Sequence, residues 1–82
     1  MEILSTDSRY QVIEDESGVY KGDVLNKERD GIGMMYYIGG DIYGGQWQKN
    51  NSHGIGMRIT NSGRYYGNFT AGFKNGYGIY YY

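Results

Sequence analysis

Tyr43-Gly44-Gly45-Gln46-Trp47 is the middle one of three segments that share a single pattern. The other two segments are Tyr20-Lys21-Gly22-Asp23-Val24 and Tyr65-Tyr66-Gly67-Asn68-Phe69. Eleven residues after each leading tyrosine, the chain enters a Gly-x-Gly pair, which begins at Gly31, Gly54 and Gly76. The leading tyrosines are 23 and then 22 residues apart. Self-similarity at such a period is typical of repeat proteins built from one supersecondary unit.

Each unit has the pattern of a β-hairpin. The tyrosine, the glycine and the third large residue stand two positions apart, so on a strand they point to the same face. The polar runs at residues 25–30, 48–53 and 70–75 are typical of turns, and the second strand is expected to begin at the Gly-x-Gly pair. Glycines this frequent would cost about 0.8 to 1 kcal/mol each inside helices. We therefore predict an all-β fold, an elongated single-layer antiparallel array of stacked β-hairpins that forms an open β-meander.

The repeat divides the chain into a short leading segment and three units. Residues 20–42, 43–64 and 65–82 are the hairpin repeats, and residues 1–19 form an N-terminal segment with a partial repeat whose strand is expected at residues 10–13. Composition agrees with aromatic packing, because the 82 residues include 15 Gly and 11 Tyr but leucine only at positions 4 and 25. We predict that rings from one hairpin pack on glycine backbone of a neighbouring hairpin. The predicted ring-accepting glycines are Gly22, Gly31, Gly33, Gly45, Gly54, Gly56, Gly67, Gly76 and Gly78.

The charge pattern argues against nucleic-acid binding. Eight basic and nine acidic residues are scattered along the chain and give a net charge of −1, so no basic face is expected. No segment has the pattern of a signal peptide or a membrane span. The absence of cysteine is consistent with a reducing compartment. We expect a cytoplasmic protein.

Three features resemble catalytic or ligand sites, and each has a simpler explanation. The Gly-x-Gly pairs are followed by β-forming residues, whereas a phosphate loop needs a helix N-terminus there. His53 is the single histidine, and a metal site or catalytic dyad needs further ligands or a nucleophile. The acidic run 14–16 lacks EF-hand spacing and is typical of a solvated turn. We therefore predict no catalytic residue, no cofactor and no metal, and a protein that is not an enzyme.

The Tyr-x-Gly-x-aromatic segments, the polar turn that ends in His53-Gly54 and the Gly-x-Gly strands together resemble the MORN (membrane occupation and recognition nexus) repeat. Three units over residues 20–82 carry this resemblance, with a partial unit before them. The first two turns lack the glycine that the family usually has, and Arg58 stands where an aromatic is more usual. Whether Ile55, Met57 and Ile59 lie on the better-buried face is left open by the sequence.

The resemblance implies an accessory module, because MORN arrays are associated with membrane or cytoskeletal tethering and with regulatory regions of lipid kinases or methyltransferases. Our leading hypothesis is a scaffold whose open aromatic face holds an apolar helix or strand of a protein partner, or a second copy through self-association. The predicted partner-binding residues are Tyr37, Tyr43, Trp47, Tyr65 and Phe69. A phospholipid-binding module, or a regulatory fragment of a larger enzyme, is the alternative.

Overall fold

The computed structural model describes residues 9–82, and within them the chain forms seven β-strands and no helix. The strands are β1 (Tyr10–Asp15), β2 (Gly18–Leu25), β3 (Glu28–Tyr37), β4 (Ile42–Gln48), β5 (Asn51–Thr60), β6 (Gly63–Thr70) and β7 (Phe73–Tyr81). They pair antiparallel in chain order in one sheet, which spans 44 × 27 × 22 Å. The predicted single-layer β-meander is confirmed. The expected N-terminal strand is present as β1, whereas residues 1–8 of the leading segment lie outside the described residues.

The turns within the three hairpins are shorter than the sequence predicted. Two residues form each turn, and all of them have positive φ. In the second hairpin, Lys49 has a φ of 48° and Asn50 has a φ of 72°. This backbone matches the twist of the two strands that it joins, so strand pairing can resume at once. β3, β5 and β7 therefore begin three residues before the first glycine of each Gly-x-Gly pair, and the prediction that they begin at that pair is wrong.

Side-chain alternation gives the sheet two unlike faces. One face, here called the ring face, carries the tyrosine, glycine and aromatic trios of β2, β4 and β6, together with their cross-strand partners in the other strands. Its buried core consists of Tyr20, Val24, Met35, Tyr43, Trp47, Tyr65 and Phe69. The opposite face, here called the outer face, carries the alternate residues, among them Ile32, Met34, Tyr36, Ile42, Ile55, Met57, Ile59, Tyr66, Ile79 and Tyr81.

The strand register brings the glycines into direct cross-strand pairs. Gly22 lies opposite Gly33, and the later hairpins repeat this pairing with Gly45 opposite Gly56 and Gly67 opposite Gly78. Each pair is followed by a β-bulge. Because both partners lack a side chain, no Cβ atom projects from the backbone of the ring face at this level of the sheet, and an aromatic ring can pack across it.

The middle unit answers the question that the sequence left open. Ile55, Met57 and Ile59 project from the outer face, where Ile55 and Ile59 are exposed. Arg58, which lies between them in the chain, projects from the ring face opposite Tyr43 and Tyr65. The ring face is therefore the buried one, although it carries a charged residue in β5.

Candidate functional site

The aromatic rings of the ring face form one continuous edge-to-face row. Trp47 lies with its ring centroid 5.3 Å from that of Tyr20 and 5.0 Å from that of Tyr43. Phe69 repeats this arrangement between Tyr43, at 4.9 Å, and Tyr65, at 5.4 Å. All four interplanar angles fall between 84° and 88°. Each such pair contributes about 0.5 to 1.5 kcal/mol beyond its buried area, so the row joins each hairpin to the next.

One hydrogen bond recurs in all three leading tyrosines. The hydroxyl of Tyr43 donates to the carbonyl of Gln46 at 2.8 Å, and the hydroxyls of Tyr20 and Tyr65 donate in the same way to the residue three positions ahead. Burial raises the pKa of Tyr20 to about 12, and the carboxylate of Asp23 adds to that rise. Burial also raises the pKa of Tyr43 to about 12. These hydroxyls therefore act as fixed structural donors.

The second glycine of each Gly-x-Gly pair accepts the tyrosine ring of its own hairpin. A Cβ atom built on Gly56 would lie 2.2 Å from the hydroxyl oxygen of Tyr43, and Gly33 and Gly78 stand in the same relation to Tyr20 and Tyr65. The predicted packing of rings on glycine is thus confirmed for these three. The expectation that the ring comes from a neighbouring hairpin is wrong for them, because the tyrosine and its glycine lie on paired strands of one hairpin.

The first glycine of each Gly-x-Gly pair has a different role. Gly31, Gly54 and Gly76 have φ values of 114°, 89° and 74°, which favour glycine, and no ring lies against them. The prediction that they accept rings is therefore wrong. The bulge places a polar side chain beside the next amide instead. The Oε1 atom of Gln46 accepts a hydrogen bond from the Ile55 amide at 2.6 Å, and Asp23 accepts one from Ile32 at 3.1 Å.

The contact between neighbouring hairpins is made by the third residue of the trio. The indole N–H of Trp47 donates to the carbonyl of Gly33 in the preceding hairpin at 3.0 Å. Trp47 also lies against the ring of Tyr20, which belongs to that hairpin. This contact fulfils the expectation that rings bridge adjacent hairpins, through Trp47 and Phe69 rather than through the leading tyrosines.

Cationic side chains lie over the aromatic row. The Arg29 guanidinium is 5.0 Å from the centre of the Trp47 ring, and that of Arg58 is 5.2 Å from the centre of the Tyr37 ring. The Lys74 ammonium is 4.5 Å from the Tyr80 ring. Such contacts contribute about 0.5 to 1 kcal/mol at exposed sites. This layer was not predictable from the sequence, although Arg58 stands where the MORN pattern more often has an aromatic residue.

The five predicted partner-binding residues lie on one face, as expected, but four of them belong to the core. Tyr43, Trp47, Tyr65 and Phe69 are at most 5% exposed within the chain itself. Tyr37 is half-buried beneath Arg58. A partner that approached this face would contact the cationic side chains before it reached these buried rings. The partner-binding role of the five residues stays a prediction.

Among the described residues, much of the exposed apolar surface lies on the outer face. The outward positions in the middle of β3, β4 and β5 carry no charge, and most of them are apolar. Ile32 is 60% exposed, and Ile55 and Met34 are also exposed. On the flanking strands the outer face has charges of both signs, Glu14 and Lys21 on one side and Arg64 on the other. Contiguous apolar surface with a polar rim usually marks an interaction site.

The other residues that the sequence suggested as metal or catalytic candidates do not form a cluster. His53 is half-buried near the start of β5, rather than in the turn where the sequence suggested it. Across residues 9–82, no three His, Cys, Asp or Glu side chains come close enough to hold a metal ion. The same residues include no helix with the length and apolar character needed to cross a membrane.

A scan against models of known protein families found no match, and a search of the curated proteins found none either. The resemblance to the MORN repeat therefore depends on the repeated residues and their spacing. Membership of that family stays a prediction, and what the structure shows is that the ring contacts, the tyrosine hydrogen bond and the glycine pairs recur from hairpin to hairpin.

Proposed function

We propose that this chain is a non-catalytic scaffold module that binds the apolar face of a protein partner through the outer face of its sheet. The observation that carries the proposal is the uncharged, mainly apolar centre of that face, formed by alternate residues of β3, β4 and β5. The resemblance to MORN repeats agrees with an accessory binding role. The aromatic row contributes by holding the sheet rigid beneath the contact surface.

The charge distribution favours a protein over a lipid surface. The centre of the outer face is uncharged, and its flanks carry Glu14, Lys21 and Arg64, so charges of both signs surround the apolar centre. An apolar centre inside a polar rim is the usual anatomy of a protein interface. Adsorption to anionic lipid gains about 1 kcal/mol for each basic residue near the surface and needs several together. An apolar helix with a polar opposite side is the partner that fits.

A labelled amphipathic peptide of leucine and glutamine, with no charged residue, is a suitable probe, and fluorescence anisotropy measures its binding. The double variant Ile32→Gln with Ile55→Gln is expected to weaken binding at least tenfold, because two apolar contacts are lost at the centre of the face. The matched control is Ile38→Gln, since Ile38 is 81% exposed in the turn after β3, beyond the strand residues that form the centre of the outer face. This control should bind the peptide as the wild type does.

Two results would contradict the proposal. One is equal binding by the double variant and the wild type. The other is cosedimentation of the protein with phospholipid vesicles while the peptide is not bound, which would favour the lipid-binding alternative. Sedimentation velocity is measured in parallel, because a dimer that dissociates in the double variant would make a second copy, and not a different protein, the occupant of the outer face.

A further inference from the structure

The ring face is cationic, although the chain as a whole has a net charge of −1. Arg29, Arg58 and Lys74 all project over its aromatic rings. Within residues 9–82, the carboxylates on the same face are Asp15 and Asp41. Asp15 accepts a hydrogen bond from the Ser17 amide in the turn between β1 and β2, and Asp41 pairs with Arg58 at 3.2 Å. The positive charge of this face is thus compensated only in part.

Two of these cations have no carboxylate partner within residues 9–82. Arg29 donates to the sulfur of Met35 at 3.6 Å and to the carbonyl of Asn50 at 3.3 Å, and its Nε atom is buried without a hydrogen-bond partner. Lys74 donates to the hydroxyl of Tyr80. Neutral acceptors bind a cation less strongly than a carboxylate does. The face therefore has donor capacity left for an anion.

A small cavity lies where two of the cations meet the end of the aromatic row. Arg58 and Lys74 line it together with Tyr65 and the two exposed rings Tyr80 and Tyr82. Thr60 and Ser62 also line the cavity, and the Thr60 hydroxyl donates to the Gly63 carbonyl at 3.4 Å. Tyr80 and Tyr82 stack with ring centroids 5.6 Å apart. Cationic donors and an aromatic wall together suit a carboxylate that is attached to an apolar segment.

We propose that the ring face binds an acidic protein segment, with one Asp or Glu carboxylate in the cavity between Arg58 and Lys74. Apolar residues beside that carboxylate pack on Tyr80 and Tyr82, and a further acidic residue lies near Arg29. A membrane is a poorer match, because its binding requires several clustered basic residues and this face has three that are spread over three strands. This site lies on the opposite face from the scaffold surface, so either site can fail without the other.

The probe is a labelled peptide in which glutamate alternates with leucine and tyrosine, and a second peptide has glutamine at every glutamate position. Binding is measured by anisotropy at low and moderate salt. The wild type is expected to bind the glutamate peptide at least tenfold more tightly than the glutamine peptide, with a preference that decreases as salt screens the charges. Each of Lys74→Gln and Arg58→Gln should weaken glutamate-peptide binding about fivefold, as expected for an exposed ion pair.

The matched control is Lys21→Gln, which removes the same charge from the outer face and should leave the binding unchanged. Lys74→Arg keeps the charge and should retain most of the affinity, and thermal unfolding of each variant verifies the fold. The proposal is overturned if both peptides bind alike, or if Lys21→Gln weakens binding as much as Lys74→Gln does. Binding of the protein to anionic vesicles without binding of the glutamate peptide would also overturn it, in favour of a lipid surface.

Discussion

The ring face and the outer face are formed by the same strands, yet they differ in almost every physical property. Along β6, Tyr65, Gly67 and Phe69 are buried, whereas Tyr66, which lies between the first two, and Arg64, which precedes them, are exposed. A slip of one residue in register would exchange the two sets. The repeat therefore buries side chains on one face of a single sheet and leaves the other face largely exposed.

The ring face becomes a core without a second layer. The cross-strand glycine pairs leave the backbone uncovered on this face, so the tyrosine rings pack directly on backbone instead of projecting into solvent. The edge-to-face neighbours then cover the sides of those rings, and Arg29 and Lys74 cover part of their upper surface. Tyr20 and Tyr43 are consequently no more than 1% exposed. The outer face lacks this glycine row, and the two cations that lie over its rings, Lys21 over Tyr36 and Arg64 over Tyr81, do not form a continuous cover.

The largest difference between the faces is expected from removing one large side chain on each. Trp47→Ala should lower the free energy of unfolding by about 3 to 5 kcal/mol, because it leaves a cavity and removes the contacts with Tyr20 and Tyr43. Ile32→Ala, on the outer face, should change it by less than about 0.5 kcal/mol. Urea unfolding followed by circular dichroism measures both.

A small chain has a thin margin of stability, so Trp47→Ala could unfold entirely. The milder Trp47→Phe keeps the ring contacts but loses the hydrogen bond to the Gly33 carbonyl, and a loss of about 1 to 2 kcal/mol is expected. Equal losses for Trp47→Phe and Ile32→Ala would contradict the division between the faces.

A second comparison adds a single methyl group to each face. Gly56→Ala should cost about 1 to 3 kcal/mol, because its Cβ would meet the Tyr43 ring, which the hydrogen bond to Gln46 holds in place. Gly44→Ala on the adjacent strand projects from the outer face, where the nearest atom is the flexible thioether of Met34. It should cost less than about 1 kcal/mol, since methionine can adopt another rotamer. Thermal unfolding of the two variants side by side tests the comparison.

The fold was largely predictable from the sequence because glycine and aromatic spacing is local information. The period-two trios fixed which residues share the ring face, and the paired glycines indicated packing of rings on backbone. The separate roles of the two glycines in each Gly-x-Gly pair were not predictable. Gly31 and Gly33 look alike in the sequence, but the bulge gives Gly31 a positive φ and leaves Gly33 to accept the ring of Tyr20.

The candidate surfaces were less predictable, because they depend on what covers each face. The rings of Tyr43, Trp47, Tyr65 and Phe69 suggested a contact surface, but these rings pack together from two strands, and the cations above the ring face come from three others. Lys74 reaches Tyr80 across six residues of its own strand, and no local pattern indicates such a contact. The alternation in β5 placed Ile55, Met57 and Ile59 on one face, but only the structure shows that this face is the more exposed one.

A further difference between the faces is an alkaline dependence of stability that comes from the burial of Tyr43 in the ring face. The unfolded tyrosine loses its proton near pH 10, whereas the folded Tyr43 keeps it until about pH 12. The folded state therefore binds more protons in this window, so the stability that Tyr43 contributes is fully present below pH 10 and is lost as the pH rises to 12. The contribution to the slope is about 1.4 kcal/mol per pH unit. Urea unfolding between pH 9 and about pH 11.5 should give a shallower decrease for Tyr43→Phe than for the wild type, and parallel decreases would show that the Tyr43 hydroxyl is not buried in the ring face.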